Sequence, residues 1–493
     1  MPAPGAASSV PATPLPVPDA PGRGPDPVAV AAGALVARQA VVSGANLLGS
    51  LLLARATAPE VFGAVTVALL VQSLLTAIGG PGLAAGLVRR PTEPDETDCR
   101  VLFTFQQALG AALAGGVWLL APAVAEAYGR PPEDAWLFRW VGVAFAVLPV
   151  QSVPALRLER ALDFGRLGVV DAVQALVLNG GIVAAAWSGA APAGFGLAFA
   201  ARAVAGAALA QALRPWRPAW AWDRSRLRAQ LGFALPYQGS ILVSVARDAV
   251  GPVLVGLTVG AAAVGHVQWA LTLASFPVWA MMPFQRLYLP AFARVQHDRA
   301  ALARLVERVV RGANTVVAPL ATLSLALAEP ITRVVFGPAW LPALPLWPLF
   351  WTANLWAATA TPLLALLNAV GRAGTTFGFS VAWMAATWLL AAPLVAAFGT
   401  LGFGLAHVAV QLVNLALFRE ARRVAPLRLG RAALPPWLGA TLIGAVVHVI
   451  ALRWPPRGLP SLLAFLLVPL VAYGGLFLGP LRPGRRGGDA EAG

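Results

Sequence analysis

Long apolar runs, parted by short breaks that carry most of the arginines, repeat along nearly the whole chain. They fall at about 28–54, 61–88, 101–125, 136–156, 167–187, 192–213, 232–257, 262–290, 312–336, 343–368, 377–397, 401–418, 433–452 and 459–480. Each is near the roughly 20 residues a helix needs to cross the hydrocarbon core. Their continuous Ala/Leu texture lacks the two-residue alternation of membrane strands. The pattern predicts an all-α polytopic membrane protein of about 14 transmembrane helices. Pro277 and Pro283 interrupt the eighth run, and only a few residues around Gly194 part the fifth from the sixth.

A short internal repeat suggests how the helices are grouped. GAVTVAL starts at Gly63 after the first run, and GHVQWAL starts at Gly265 after the seventh, with Gly, Val, Ala and Leu coinciding. Duplicated halves are common in transporters, with the substrate path between them. The expected division is a Pro-rich cytoplasmic tail over 1–27, a six-helix lobe over 28–213 and a basic cytoplasmic linker over 214–231. A second six-helix lobe follows over 232–420, then two additional helices over 421–480 and a tail over 481–493. The first tail has no apolar core, so it reads as disordered and not as a signal peptide.

Composition excludes several classes. Of 493 residues, 58% are hydrophobic and 12% charged, where a soluble domain carries about 25% charged residues. A soluble enzyme with a membrane anchor is thereby ruled out. All 36 basic residues are arginine, which excludes a phosphate-loop lysine and Schiff-base chemistry. Cys99 is the single cysteine, and His266, His297, His407 and His448 are scattered, so no disulfide, metal site or other cofactor is expected.

The net charge of +15 invites a nucleic-acid reading, but in such a chain it first reports topology. With the N-terminus inside, 27 of the 36 arginines fall on the inner side and six outside. Both termini are then cytoplasmic. The inner segment ARVQHDRAALARLVERVVRG has helical apolar spacing and is expected to lie on the membrane surface as an amphipathic helix.

Several stretches together resemble the polysaccharide (O-antigen type) flippases of the multidrug/oligosaccharidyl-lipid/polysaccharide exporter superfamily. They are ATAPEVFG from Ala56, RLERALDFGRL from Arg157, RDAVGPVLVGLTVGAAAVGHVQWAL from Arg247, AEPITRVVFGPAW from Ala328 and LLNAVGRAG from Leu366. The resemblance runs over roughly residues 30–430. It implies alternating access by two six-helix lobes and carriage of a lipid-linked oligosaccharide to the outer leaflet. The implied partners are that substrate, membrane lipids, a coupling cation or proton, and a polysaccharide polymerase.

Such cargo brings at least two phosphate charges into a low-dielectric layer, and arginine presents a permanently charged fork of donors to phosphate. Charges inside spans are costly and default to function. Arg38 shares a helical arc with Gln39, Ser43 and Asn46; its alternatives are snorkelling or pairing with a carboxylate. Arg202 sits among alanines, which favours a structural ion pair. Arg247 and Asp248 are adjacent, so their side chains are expected to diverge by about 100° and not to pair. Asp248 could bind a coupling ion, or bridge to Arg38 or Arg202 as a gate.

The expected substrate-binding set is Arg38, Arg247, Gln39, Asn46, Arg202, Gln238 and Gln268, with Asp248 for ion coupling or gating. Other polar residues, among them Gln72, Asn179, Asn314 and Asn354, fit sugar contacts or helix–helix glue. Trp136, Trp140, Trp216, Trp220 and Trp222 fit interfacial anchors, and Trp269 and Trp279 fit packing better than sugar stacking. A peptidoglycan-precursor flippase and a small-molecule exporter of the same superfamily remain alternatives. No catalytic constellation is present and the outer loops are short, so transport is expected, not catalysis.

Overall fold

A computed structural model describes residues 27–477 apart from 81, 91 and 162. The expectations for the two tails lie outside the described residues. The chain forms α1 (Pro27–Ala56), α2 (Pro59–Gly79), α3 (Gly82–Arg89), α4 (Glu96–Ala127), α5 (Ala135–Val147), α6 (Pro149–Arg160), α7 (Phe164–Trp187) and α8 (Ala193–Leu213). After a connection along the surface come α9 (Arg224–Asp248), α10 (Gly256–Thr258), α11 (Ala261–Trp279), α12 (Met282–Arg294), α13 (Arg299–Ala326) and α14 (Ala328–Ile331). The last helices are α15 (Leu346–Ala369), α16 (Ala373–Phe398), α17 (Thr400–Val410), α18 (Val413–Val424), α19 (Leu429–Arg453) and α20 (Leu459–Phe477).

Ten helices among the described residues are long and apolar enough to cross a membrane. The number is 11 if the pair around Leu148, bent by 47°, counts as one span. The other three runs depart from the simple pattern for local reasons. α1 is one helix of 30 residues in which Val41–Ala56 is apolar, with Arg38 and Gln39 just before that stretch. The eighth run is broken between Trp279 and Met282, where Pro283 opens the next helix. The last run retains the short apolar stretch Leu459–Gly475.

The helices α1–α8 pack mainly among themselves, as do α11–α18 around α15, while α19 lies along α13 and α20 against both. Asn314, fully buried on α13, helps hold α19: its Oδ1 accepts from Trp437 Nε1 at 2.7 Å, and its Nδ2 donates to Thr359 on α15 at 3.2 Å.

Corrections to the sequence pattern are equally local. The segment expected to lie on the membrane surface is the first half of α13, an unbroken helix of 28 residues capped by Asp298. Leu302, Val306, Val310, Ala313 and Val317 are all buried; this stripe continues into the apolar half, and nothing breaks the helix between them. Within the expected basic linker, residues 214–223 pack against the bundle. Trp216, expected at the lipid interface, is buried, its Nε1 donating to Glu96 at 2.9 Å, and Ala221 N donates to Thr104 at 2.9 Å. The helix that follows begins at Arg224, eight residues before the expected start.

The two ends of the bundle are built differently. At one end, Gly63 of α2 and Gly265 of α11, the glycines of the internal repeat, face each other. A methyl group on Gly63 would overlap the Ala261 carbonyl oxygen, and one on Gly265 the Pro59 carbonyl oxygen. Only glycine lets the backbones approach so closely. Around this crossing Phe62 meets Trp340 edge-on at 5.3 Å, and Trp340 stacks on Trp269 at 5.3 Å. Trp340 Nε1 donates to Ala54 O at 2.8 Å and Arg55 donates to Val335 O at 2.6 Å. Trp269 therefore packs in an aromatic seal that joins the two helix groups.

The other end is held by charges. Arg226 of α9 reaches both carboxylate oxygens of Asp95 at 2.7 Å and lies 3.4 Å from Asp98 and from Asp223. Arg157 pairs with Glu96 at 2.9 Å. Arg160 donates to the carbonyls of Leu87, Val88 and Arg90, capping α3. The Arg226 guanidinium, followed by the Asp98 amide, holds the Asp95 carboxyl below its ordinary value. Asp223 is likewise lowered, first by the Ser225 hydroxyl and then by the Arg226 amide, at the start of α9.

Candidate functional site

The site grows from the pairing of α1 with α7. Gly168 presents no side chain toward Arg38, whose Cβ would lie 3.3 Å from a methyl at that position. One turn further along α7, Asp171 Oδ2 lies 2.6 Å from Arg38 Nε. Another two turns on, Asn179 donates to Asn46 at 2.9 Å, and Gly49 leaves the space that Asn179 fills. The arc from Arg38 to Asn46 therefore turns toward α7 and toward a cavity of about 610 Å³.

Arg38, Gln39, Asn46, Asp171, Gln174, Asn179 and Arg202 line this cavity, with Asp248 and Gln268 at its far wall. Gln39 donates to Ser43 at 3.0 Å, and Gln174 donates to Gln151 at 2.7 Å. Arg202, on α8, is near enough to Asp171 to feel its charge. It has no hydrogen bond and no ion pair within 4 Å among the described residues, so the expected structural pairing is not formed.

A second cavity, about 540 Å³, adjoins the first and shares Asp248, Pro252 and Gln268 with it. Arg247, Thr361, Thr387, His407, Gln411 and Asn414 also line it. Here one expectation is overturned. Arg247 and Asp248 do pair, Nε to Oδ1 at 2.9 Å. The α-helix ends at Asp248 and gives way to a wider turn over Gly251–Val255. The long arginine stem can fold back across one residue there, where a regular helix would hold the two side chains apart. Neither bridge from Asp248 to Arg38 or Arg202 is formed; the carboxylate beside Arg38 is Asp171.

Gln238 also departs from its expected place. It lines neither cavity. Its Nε2 donates to Thr76 O at 2.7 Å, where α9 crosses α2, and Gly82 makes room for it. Gln268 lines both cavities and donates weakly to Thr272 at 3.3 Å.

Two lining residues escaped the sequence reading although a signal was present. Asp171 is the single carboxylate in the run 167–187, and the rule that singled out Asp248 applies to it equally. His407 sits in the run 401–418 and becomes significant only once folding places it beside the second cavity, against Phe350 at 5.2 Å and Phe403 at 4.9 Å. Among the described residues no group of three His, Cys, Asp or Glu side chains could hold a metal ion.

This geometry is a pair of joined polar hollows inside a helical membrane protein; Arg38 and Arg202 line the first with Asp171 and with Asp248, which pairs with Arg247. Residues 52–345 match the family described as polysaccharide biosynthesis protein. The chain belongs to that family. It is 27% identical over 347 residues to the succinoglycan biosynthesis transport protein ExoT of Rhizobium meliloti (strain 1021), covering 68% of each chain. To the lipopolysaccharide biosynthesis protein WzxC of Escherichia coli (strain K12) it is 22% identical over 393 residues, covering 76% of this chain and 77% of that one.

The fold is similar to that of the lipid II flippase MurJ in an inward closed conformation. The TM-score is 0.70 at 10% identity, with 92% of this chain and 99% of the other covered. An inward-facing multidrug resistance MATE transporter of the MOP superfamily is similar at TM-score 0.57 and 14% identity, covering 85% of this chain and 96% of that one. At such identities these two likenesses concern the fold.

Proposed function

We propose that the protein is a flippase that carries polyprenyl-pyrophosphate-linked oligosaccharide units across the bacterial cytoplasmic membrane by alternating access. Its cargo is a building block of a surface polysaccharide. In this reading the chain crosses the membrane 14 times with both termini in the cytoplasm. The helices α1–α8 and α9–α18 move as two lobes, and α19 and α20 are an addition to the second.

The observation that carries the reading is the cavity holding Arg38 and Arg202. Two arginines against one nearby aspartate leave uncommitted guanidinium donors in a place where charge is costly. A diphosphate supplies acceptors for them, and planar forks suit its oxygens. Asn46, Asn179, Gln39 and Gln268 offer hydrogen bonds to sugar hydroxyls. The aromatic and glycine seal closes the outer end, so the described state belongs to the inward half of the cycle. Asp248, shared by both cavities, is the proposed site for a coupling cation or proton. A polysaccharide polymerase is the proposed recipient of the cargo.

The test is flipping of a fluorescent polyprenyl-pyrophosphate oligosaccharide in proteoliposomes. The parent protein moves it, and Arg38→Ala stops movement while the protein stays folded and inserted. Full activity in Arg38→Ala would refute the anion site.

A further inference from the structure

The carboxylate beside Arg38 stands where a phosphate oxygen of the cargo would stand. Arg38 and Asp171 approach to 2.6 Å, yet both face the cavity, their side chains 36% and 28% exposed. No other acceptor among the described residues meets Arg38, so its terminal donors remain unused. The charged groups lining this hollow are Arg38 on α1, Asp171 on α7, Arg202 on α8 and Asp248 on α9. Asp248 is committed to Arg247 at 2.9 Å.

We infer that Asp171 is an internal competitor for the anion site, occupying Arg38 when the carrier is empty and giving way when the cargo's diphosphate arrives. The inference rests on the diphosphate reading of this cavity and assigns a residue that tunes it. With no cargo, an unpaired arginine in the membrane would bear a large desolvation cost, and Asp171 relieves it. With cargo bound, two phosphate charges match Arg38 and Arg202, and Asp171 becomes a repelling neighbour. That repulsion weakens binding and hastens release on the far side. Asp171 is thus a specificity and release residue, set close to Arg38 by Gly168, which lets α1 and α7 approach.

The experiment measures equilibrium binding of geranyl pyrophosphate to the full chain in nanodiscs, beside flipping of the fluorescent lipid-linked oligosaccharide. Removing a like charge within reach of the diphosphate is expected to tighten binding about tenfold in Asp171→Asn. Flipping slows by a similar factor because release becomes limiting. Asp171→Glu, which keeps the competing charge, binds within about threefold of the parent and restores flipping. If Asp171→Asn does not fold, Asp171→Ser supplies a second neutral side chain.

The outcomes separate cleanly. Tighter binding with slower flipping supports the exchange. Unchanged binding in Asp171→Asn, with binding still abolished in Arg38→Ala, overturns the exchange and leaves the anion site standing. Loss of binding in both variants would make Asp171 a brace for Arg38 and also overturn it. No effect of Arg38→Ala on binding would remove the diphosphate reading itself, whatever Asp171 does.

Discussion

The two joined cavities differ in how their charges are spent. In the first, one carboxylate lies against Arg38, while Arg202 has no hydrogen bond and no ion pair within 4 Å among the described residues. In the second, Arg247 and Asp248 neutralise each other, and no other Arg, Asp or Glu lines it. The asymmetry is notable in a molecule whose halves carry the same glycine motif at their crossing. Packing positions are shared between the halves, and charge is not. In the proposed reading the common scaffold sets the motion, and the first group of helices holds the anion. The second group holds a paired charge whose opening could report on an ion.

The sharpest way to break this comparison is to remove one arginine from each cavity. Arg202→Gln is expected to weaken cargo binding about ten- to a hundredfold, the worth of one charged hydrogen bond of about 1.5–3 kcal/mol. Arg247→Gln is expected to cost no more than about threefold in binding, since its guanidinium is committed to Asp248. Asp248→Asn, which frees Arg247, should change the dependence of flipping on membrane potential or pH while leaving cargo affinity near that of the parent. Flipping rates and geranyl pyrophosphate binding, measured side by side, check all three. Equal losses of binding for Arg202→Gln and Arg247→Gln would erase the distinction between the cavities.

The roof common to both cavities offers a smaller but cleaner test. Gly63→Ala sets a methyl group against the Ala261 carbonyl, and neither backbone can yield without parting the helices. Overpacking of this kind costs about 1–3 kcal/mol, and the cost falls only on the closed-roof state. The expected result is a population shift of about tenfold toward the state open at that end, read as faster labelling of an introduced Ala54→Cys by a membrane-impermeant maleimide. Gly265→Ala should do the same, because the two glycines occupy equivalent places in the crossing. Gly312→Ala, where a methyl meets open space, serves as the control and should leave labelling unchanged.

Much of this architecture can be read from the sequence, and what cannot be read has physical causes. Hydropathy exposed the helical membrane class because long apolar runs have no other stable form in lipid. The repeat at Gly63 and Gly265 pointed to a duplicated plan, and the same glycines make the crossing. Pairing was harder. Helical spacing could not tell that α9 ends at Asp248, and so it gave Arg247 and Asp248 the wrong relation. Nor could it show that Gln238 serves the α9–α2 crossing instead of a cavity, since a glutamine in a span looks the same in either role. The arginines of RLERALDFGRL are another case. Arg157 and Arg160 hold the basic end together, so these two arginines serve the fold in this chain and lie outside both cavities.

That basic end provides the smallest expected effect, and it isolates the cavities by elimination. Asp95 and Asp223 are exposed, and both are held below the usual carboxyl value of 3.8, Asp95 chiefly by Arg226 and Asp223 chiefly by the Ser225 hydroxyl. A carboxyl depressed in the folded state contributes stability that is fully present above its unfolded value. The contribution fades as pH falls through the lower folded value. The link between Asp95 and Arg226 is therefore constant from neutrality down to about pH 5 and weakens below pH 3.8. Exposed pairs are worth little, so Asp95→Asn should lower the thermal midpoint by no more than a few degrees at pH 7 and by less at pH 3. Scanning calorimetry at the two values checks the sign. Because Asp95 and Asp223 are held below 3.8, a change of flipping rate between pH 5 and 8 does not arise from them. If Asp248→Asn abolishes that change and Asp95→Asn preserves it, the response belongs to the carboxylate where the two hollows meet and not to the basic end.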